Sequence, residues 1–183
     1  MILVAYASKH GATREIAERI AETLTAAGHE AEAKPVRDAR DLDGYDAVVI
    51  GSAAYLGHWL KEAVEFVRRN QAILTDRPVW LFSSGPLGAE ATDAQGRDLR
   101  EAAEPKELAE LAELIRPREQ RVFFGVLDPS TLGFRERAIR SLPAGRGLLP
   151  EGDFRDWAEI EGWAAGIAQD LARVQKGQEL TTT

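Results

Sequence analysis

Two unbroken apolar runs, Ile2 to Tyr6 and Ala47 to Ile50, stand out against polar surroundings. A strand with one wetted face alternates apolar and polar residues, whereas a strand covered by helices on both faces reads as a continuous run. Both segments are therefore expected to be central strands of a parallel sheet. Between them Ile16, Ala17, Ile20, Leu24 and Ala27 fall at helical spacing, and Gly28 follows where a left-handed C-terminal residue is favoured. This predicts a strand, crossover helix, strand unit. Ala31 to Val36 supplies another strand, and Pro35 puts it at an edge, because proline cannot donate to a ladder.

Further along, Leu60, Val64 and Val67 mark a helix, and Pro78 to Ser83, built on Val79-Trp80-Leu81-Phe82, is a buried strand. Pro105 opens a helix carrying Leu108, Leu111, Ala112 and Ile115, Pro117 stops it, and Arg121 to Leu127 is the fifth strand. Asp153 is expected to cap the last helix, where Trp157, Ile160, Ala164, Ile167, Leu171 and Val174 share one face. Strands alternating with helices predict an α/β, doubly wound parallel sheet with right-handed crossovers. We expect one domain over 1–175, with an extra Gly-, Pro- and Arg-rich segment at about 128–152 and a frayed tail at 176–183. Gly85 to Glu104 is a second long polar stretch.

In an open parallel sheet ligands bind beyond the carboxyl ends of the strands. After the first strand comes Ser8-Lys9-His10-Gly11-Ala12-Thr13, leading directly into a helix. Such a loop offers backbone N–H groups and hydroxyls to an anion at a helix N-terminus, or else Ser8 or Thr13 simply caps that helix. After the third strand, Gly51-Ser52-Ala53-Ala54-Tyr55-Leu56-Gly57-His58-Trp59 combines small residues with aromatics that can lie against a flat ring. After the fourth, Ser83-Ser84-Gly85-Pro86-Leu87-Gly88 lets backbone approach a ligand edge. One loop suits a phosphate and two suit a planar ring.

Related sites on this architecture are excluded by residue. A dinucleotide site wants G-x-G-x-x-G after the first strand, where only Gly11 is available, and the phosphate-transfer loop G-x-x-x-x-G-K-[ST] is missing. A phosphorylatable receiver wants acidic residues where this chain has Ala7-Ser8 and Gly51-Ser52.

Composition narrows the chemistry further. With no cysteine among 183 residues, disulfides and thiolate nucleophiles or metal sites are excluded, so redox chemistry requires a borrowed cofactor. The 3 histidines are scattered without ligand spacing, and no metal is expected. A net charge of -7 argues against nucleic acid and suits basic protein partners. No basic leader precedes the first strand, which makes a cytoplasmic location the expectation.

On these loops, together with Thr13-Arg14-Glu15-Ile16-Ala17, the pair Gly57-His58 and Asp156-Trp157 at the last helix, the chain resembles the flavodoxin family. Within that family it is similar to the flavodoxin-like menaquinone-dependent protoporphyrinogen dehydrogenases. The resemblance implies strand order 2-1-3-4-5 and non-covalent FMN. It implies the FMN phosphate at Ser8, His10, Gly11, Ala12 and Thr13, and the isoalloxazine at Ser52, Ala53, Tyr55, Gly57, His58, Ser83, Ser84, Gly85 and Gly88. A loop running at once into a helix, with no second glycine-rich strip for an adenylate, favours FMN over FAD.

Tyr55 and Trp59 either flank the ring or belong to the core, and His58 is either a proton donor near flavin N5 or a surface residue at a helix start. Gly57 would permit a peptide flip on reduction, and His29 is expected to be solvated. No catalytic residue is assigned. Three roles remain open: an electron carrier serving a redox partner protein, an oxidoreductase passing electrons from protoporphyrinogen to a quinone, and an NAD(P)H:quinone reductase. The segment Leu132 to Leu149 bears on that choice. Phe134, Ala138 and Leu142 share a helical face beside Ile139, while Arg135, Arg137, Arg140 and Arg146 make the segment basic. It is either a surface helix or a weak peripheral membrane contact.

Overall fold

A computed structural model describes residues 1–55, 57–85, 96, 100, 104–128, 130, 133, 137–138, 141 and 151–181. The apolar runs become β1 (Ile2–Ala7) and β3 (Ala47–Tyr55), with β2 (Ala31–Pro35), β5 (Val79–Ser84) and β6 (Glu119–Phe123) alongside them in parallel. Their order, β2-β1-β3-β5-β6, matches the expected 2-1-3-4-5. The addition is β4 (His58–Trp59), which folds back antiparallel onto β3. β2 lies at the edge, as Pro35 required.

The continuity of the apolar runs has the expected cause. Leu3, Ala5 and Ala7 face one core cluster while Ile2 and Val4 face the other, so neither side of β1 meets water. On the first side lie α2 (Lys61–Arg69), α3 (Gln71–Thr75) and α4 (Glu107–Ile115), represented by Phe66, Leu74 and Leu111. On the other lie α1 (Ala12–Ala26) and α5 (Trp157–Thr181), represented by Ile16, Ile20, Ile160 and Ile167. Among the described residues no helix is long and apolar enough to cross a membrane.

Several local expectations are corrected. The fifth strand ends at Phe123, and Val126–Leu127 leaves the sheet as β7 to pair antiparallel with β8 (Gly152–Asp153), at the base of the 128–152 segment. Asp153 does not cap α5: it sits in β8 and binds Arg155, while Asp156 Oδ1 accepts the Glu159 N–H at 3.0 Å. A cap accepts an N–H of the helix's first turn two or three residues on; Asp156 does so, whereas Asp153 accepts the Arg155 N–H, which lies ahead of the helix. His29, expected to be solvated, donates through Nε2 to the Ala168 carbonyl of α5 at 3.3 Å. The helix α5 runs to Thr181, through most of the stretch expected as tail, and 182–183 lie outside the described residues.

Candidate functional site

Sheet register brings the loops together. Ala7 pairs with Ser52, and Ser52 pairs with Ser83, so the chains leaving β1, β3 and β5 start from one level of the carboxyl edge.

In the first loop the Gly11 N–H donates to Ser8 Oγ at 3.0 Å, and Gly11 takes φ +93°, which glycine adopts without strain. Ser8 therefore closes the loop on itself and does not cap α1. Gly11 is the N-cap, and among the described residues no side chain bonds the helix terminus. Thr13 does not cap it either: its Oγ1 is buried and has no hydrogen-bond partner among the described residues. His10 and Ala12 are half-buried beside it. Exposed Lys9 places its Nζ 3.9 Å from the centre of the Tyr55 ring, which joins the first loop to the second.

The second loop is a short hairpin in which Ala54 faces Trp59 and Tyr55 faces His58, with Gly57 at φ +76°. Ser52 is fully buried; its hydroxyl accepts the Leu60 N–H and donates to the Ala53 carbonyl, both at 3.0 Å. Ser83 is also fully buried, and its Oγ accepts the Trp59 indole N–H at 2.7 Å. These two serines, expected to touch the ring, brace the loop from inside, Ser52 by donating and accepting and Ser83 by accepting from Trp59. Trp59 is thereby core, whereas Tyr55 and Ala53 stay half-buried at the surface.

The third loop begins at Ser84 and Gly85. Gly85 donates its N–H to the Phe123 carbonyl at 2.9 Å, and a Cβ there would meet Ala54 Cβ at 3.4 Å, so the ring-side loops abut. Gly88 lies outside the described residues.

Two residues at the site have no counterpart among the sequence-based expectations: Lys9 in contact with Tyr55, and Glu107. Half-exposed His58 donates through Nδ1 to Glu107 Oε1 at 2.7 Å, and the Trp59 N–H donates to Glu107 Oε2 at 3.1 Å. Burial alone would raise the Glu107 carboxyl; bonds from His58 and from the backbone N–H groups of Glu107 and Trp59 outweigh it and hold the carboxyl below its ordinary range. Lys9 sits inside the anion loop, but the sequence assigns it no contact of its own there. Glu107 had no local signal, being 48 residues from Trp59.

A separate cleft of about 400 Å³ lies between Val36, Arg37 and Arg40 and the Glu62, Glu65 and Arg69 face of α2, and none of these residues belongs to the three loops. Among the described residues no three His, Asp or Glu converge to hold a metal ion.

Comparison with known proteins agrees with this fold. Residues 3–142 match the family described as Flavodoxin domain. A protoporphyrinogen IX dehydrogenase [quinone] from Escherichia coli K12 is 31% identical over 83 residues, 44% of this chain and 46% of that protein, so the chain spans less than half the length of that relative. Among solved structures, oxidised Flavodoxin 2 from Bacillus cereus superposes with a TM-score of 0.59 at 23% identity, covering 92% of this chain and 98% of that one. A flavodoxin from the domain Archaea gives 0.58 at 14% identity, covering 93% and 98%. These two likenesses establish the fold.

Proposed function

The chain belongs to the flavodoxin domain family, and on that premise we propose that it binds one FMN non-covalently and uses it to transfer electrons. The observation that carries this reading is the buried Thr13 hydroxyl, which among the described residues has no partner and sits at an α1 terminus that no side chain caps. A buried polar group without a partner costs about 1–3 kcal/mol. A phosphate seated in the loop would remove that deficit and would gain about 0.3–1 kcal/mol from the helix terminus. Ser8, His10, Gly11, Ala12 and Thr13 would hold the phosphate. Ala53, Tyr55, Gly57, His58, Ser84 and Gly85 would border the ring, with Ser52 and Ser83 supporting them from below.

When bound, FMN supplies a ring that takes up and returns electrons; the protein's part is to hold it and tune it. The Gly57 carbonyl accepts the Lys106 N–H at 3.2 Å, so turning that carbonyl toward a ligand costs a hydrogen bond.

We infer further that protoporphyrinogen is the electron donor and a quinone the acceptor, a reading supported by the likeness to the Escherichia coli dehydrogenase. In that role the basic segment 132–149, of which Gly133, Arg137, Ala138 and Ser141 are described, touches an anionic membrane surface. The test is anaerobic titration of the yellow protein. Bleaching by protoporphyrinogen and recovery with a quinone support the enzyme. Reduction by NAD(P)H alone favours a quinone reductase, and reduction only through a partner protein leaves a carrier. Failure to bind FMN on reconstitution refutes all three.

A further inference from the structure

We propose that Glu107 is a positioning residue that locks residues 57–59, the stretch bordering the flavin ring, onto the start of α4. The inference rests on the FMN reading above and goes beyond it by assigning a ring-side role to a residue far from every loop motif.

Three consecutive residues are held by two. The Gly57 carbonyl accepts the Lys106 N–H at 3.2 Å, His58 Nδ1 donates to Glu107 Oε1 at 2.7 Å, and the Trp59 N–H donates to Glu107 Oε2 at 3.1 Å. The hairpin needs such a hold. β4 is two residues long, too short to fix a loop by strand pairing alone, and it follows a glycine at φ +76° that is free to change conformation. The Glu107 side chain is 21% exposed and its carboxyl is held below the ordinary range, so it remains an acceptor at neutral pH. Bonds to an ionised acceptor are about twice as strong as neutral ones.

The arrangement divides the loop into a fixed part and a movable part. Glu107 holds the His58 side chain and the Trp59 backbone, and Trp59 is anchored a second time through its indole to Ser83. Among the described residues, the bond that ties Gly57 is the neutral backbone one from Lys106. A rearrangement that brings the 57 carbonyl to a bound ring can therefore occur at that one peptide while the rest of the hairpin stays still.

A rival role for Glu107 is only to favour the first turn of α4, where acidic side chains offset the helix dipole. Glu110 shares that turn but pairs with Arg68 on the surface, and so serves as the control.

The test compares FMN with riboflavin, which lacks the phosphate, on the full chain. Glu107→Ala is expected to weaken both flavins about tenfold, about 1.4 kcal/mol, and to raise the midpoint potential of bound FMN, since a negative charge disfavours the electron-rich reduced ring. Glu107→Gln, which keeps the side-chain volume, should lie between parent and Ala and carries the test if the Ala protein folds poorly. Thr13→Val should weaken FMN and leave riboflavin unchanged, and Glu110→Gln should change neither. Parent-like affinities and potential in both Glu107 variants overturn the proposal while leaving FMN binding intact. Loss confined to FMN, with riboflavin unaffected, also overturns it by moving the effect to the phosphate end. A parent that binds neither flavin overturns the FMN reading itself, and this proposal with it.

Discussion

The Trp59 indole N–H donates to Ser83 Oγ at 2.7 Å in the protein interior, tying the ring-side hairpin to the end of the strand from which the next loop leaves. Both partners are buried, so removing one strands the other. Trp59→Phe is expected to cost about 2–4 kcal/mol, combining lost packing with an unsatisfied serine hydroxyl. Adding Ser83→Ala should recover about 1 kcal/mol by removing that hydroxyl's need. Urea unfolding of the two single variants and the pair measures the coupling, and strictly additive losses would show that the bond is not what holds the loops together.

Thr13 makes a sharper test of the phosphate end, because stability and affinity should move differently. Its hydroxyl has no partner among the described residues, so the near-isosteric Thr13→Val is expected to leave the flavin-free protein as stable as the parent or raise it by up to about 1 kcal/mol. The same change should weaken FMN about tenfold by removing a donor to the phosphate. Thermal midpoints without FMN and fluorescence titration with it report the two effects. A variant that loses stability while keeping FMN would place the hydroxyl in the fold and the phosphate elsewhere.

What could be read in the sequence follows from the range of the forces involved. β1 and β3 were legible because burial on both faces leaves an unbroken run, which is a local pattern. β4 was not, since two residues show no period. Asp153 and Asp156 both precede Trp157 closely, and the choice between them depends on Asp153 pairing with Val126, a contact made 27 residues away. The serines Ser52 and Ser83 look like ligand groups because a hydroxyl at a strand end reads the same whether it faces outward or inward. Only Leu60 and Trp59, brought back by the hairpin, decide the direction. Glu107 is the extreme case: its partners are set wholly by tertiary structure, and no spacing announces it.

Arg155 links the hairpin at the base of the 128–152 segment to the helix that follows the anion loop. Its guanidinium, on a side chain 6% exposed, binds Asp153 Oδ1 at 2.8 Å and Oδ2 at 2.6 Å, reaches Glu15 Oε2 at 2.7 Å and lies over the Trp157 ring. The bond to Arg155 holds the Asp153 carboxyl below its ordinary value of 3.8. A depressed carboxyl contributes stability that is fully present above its unfolded value and is lost as pH falls through the folded one. Arg155→Met should therefore cost about 1–3 kcal/mol at neutral pH, less than a fully buried pair because both carboxylates are nearly half exposed. The gap between parent and variant should shrink as pH falls from about 5 to about 2. Denaturant midpoints across that range give the result, and a gap independent of pH would assign the loss to packing against Trp157.

Among the described glycines the tightest constraint on the carboxyl edge is at Gly51, the residue before Ser52. A Cβ there would lie 2.0 Å from Phe82 Cζ, with Cε1 and Cε2 at 2.2 and 2.5 Å, distances that real contacts do not reach. The ring has little room to retreat. Phe82 is fully buried, with Phe123 at 6.0 Å and Trp163 at 6.2 Å between ring centres, so a shift must be passed to those aromatics or to β3 itself. Gly51→Ala is expected to cost at least about 1–3 kcal/mol, as overpacking a close-packed core does. If β3 yields, Ser52 and Ala53 move with it, and FMN affinity falls along with stability. If Phe82 yields, stability falls alone. Phe82→Leu, which removes the offending ring atoms, should restore part of the loss in the Gly51→Ala background although it destabilises the parent by about 1–2 kcal/mol. That reversal of sign is the decisive reading, because two independent defects would add, whereas a shared collision makes the second substitution a repair.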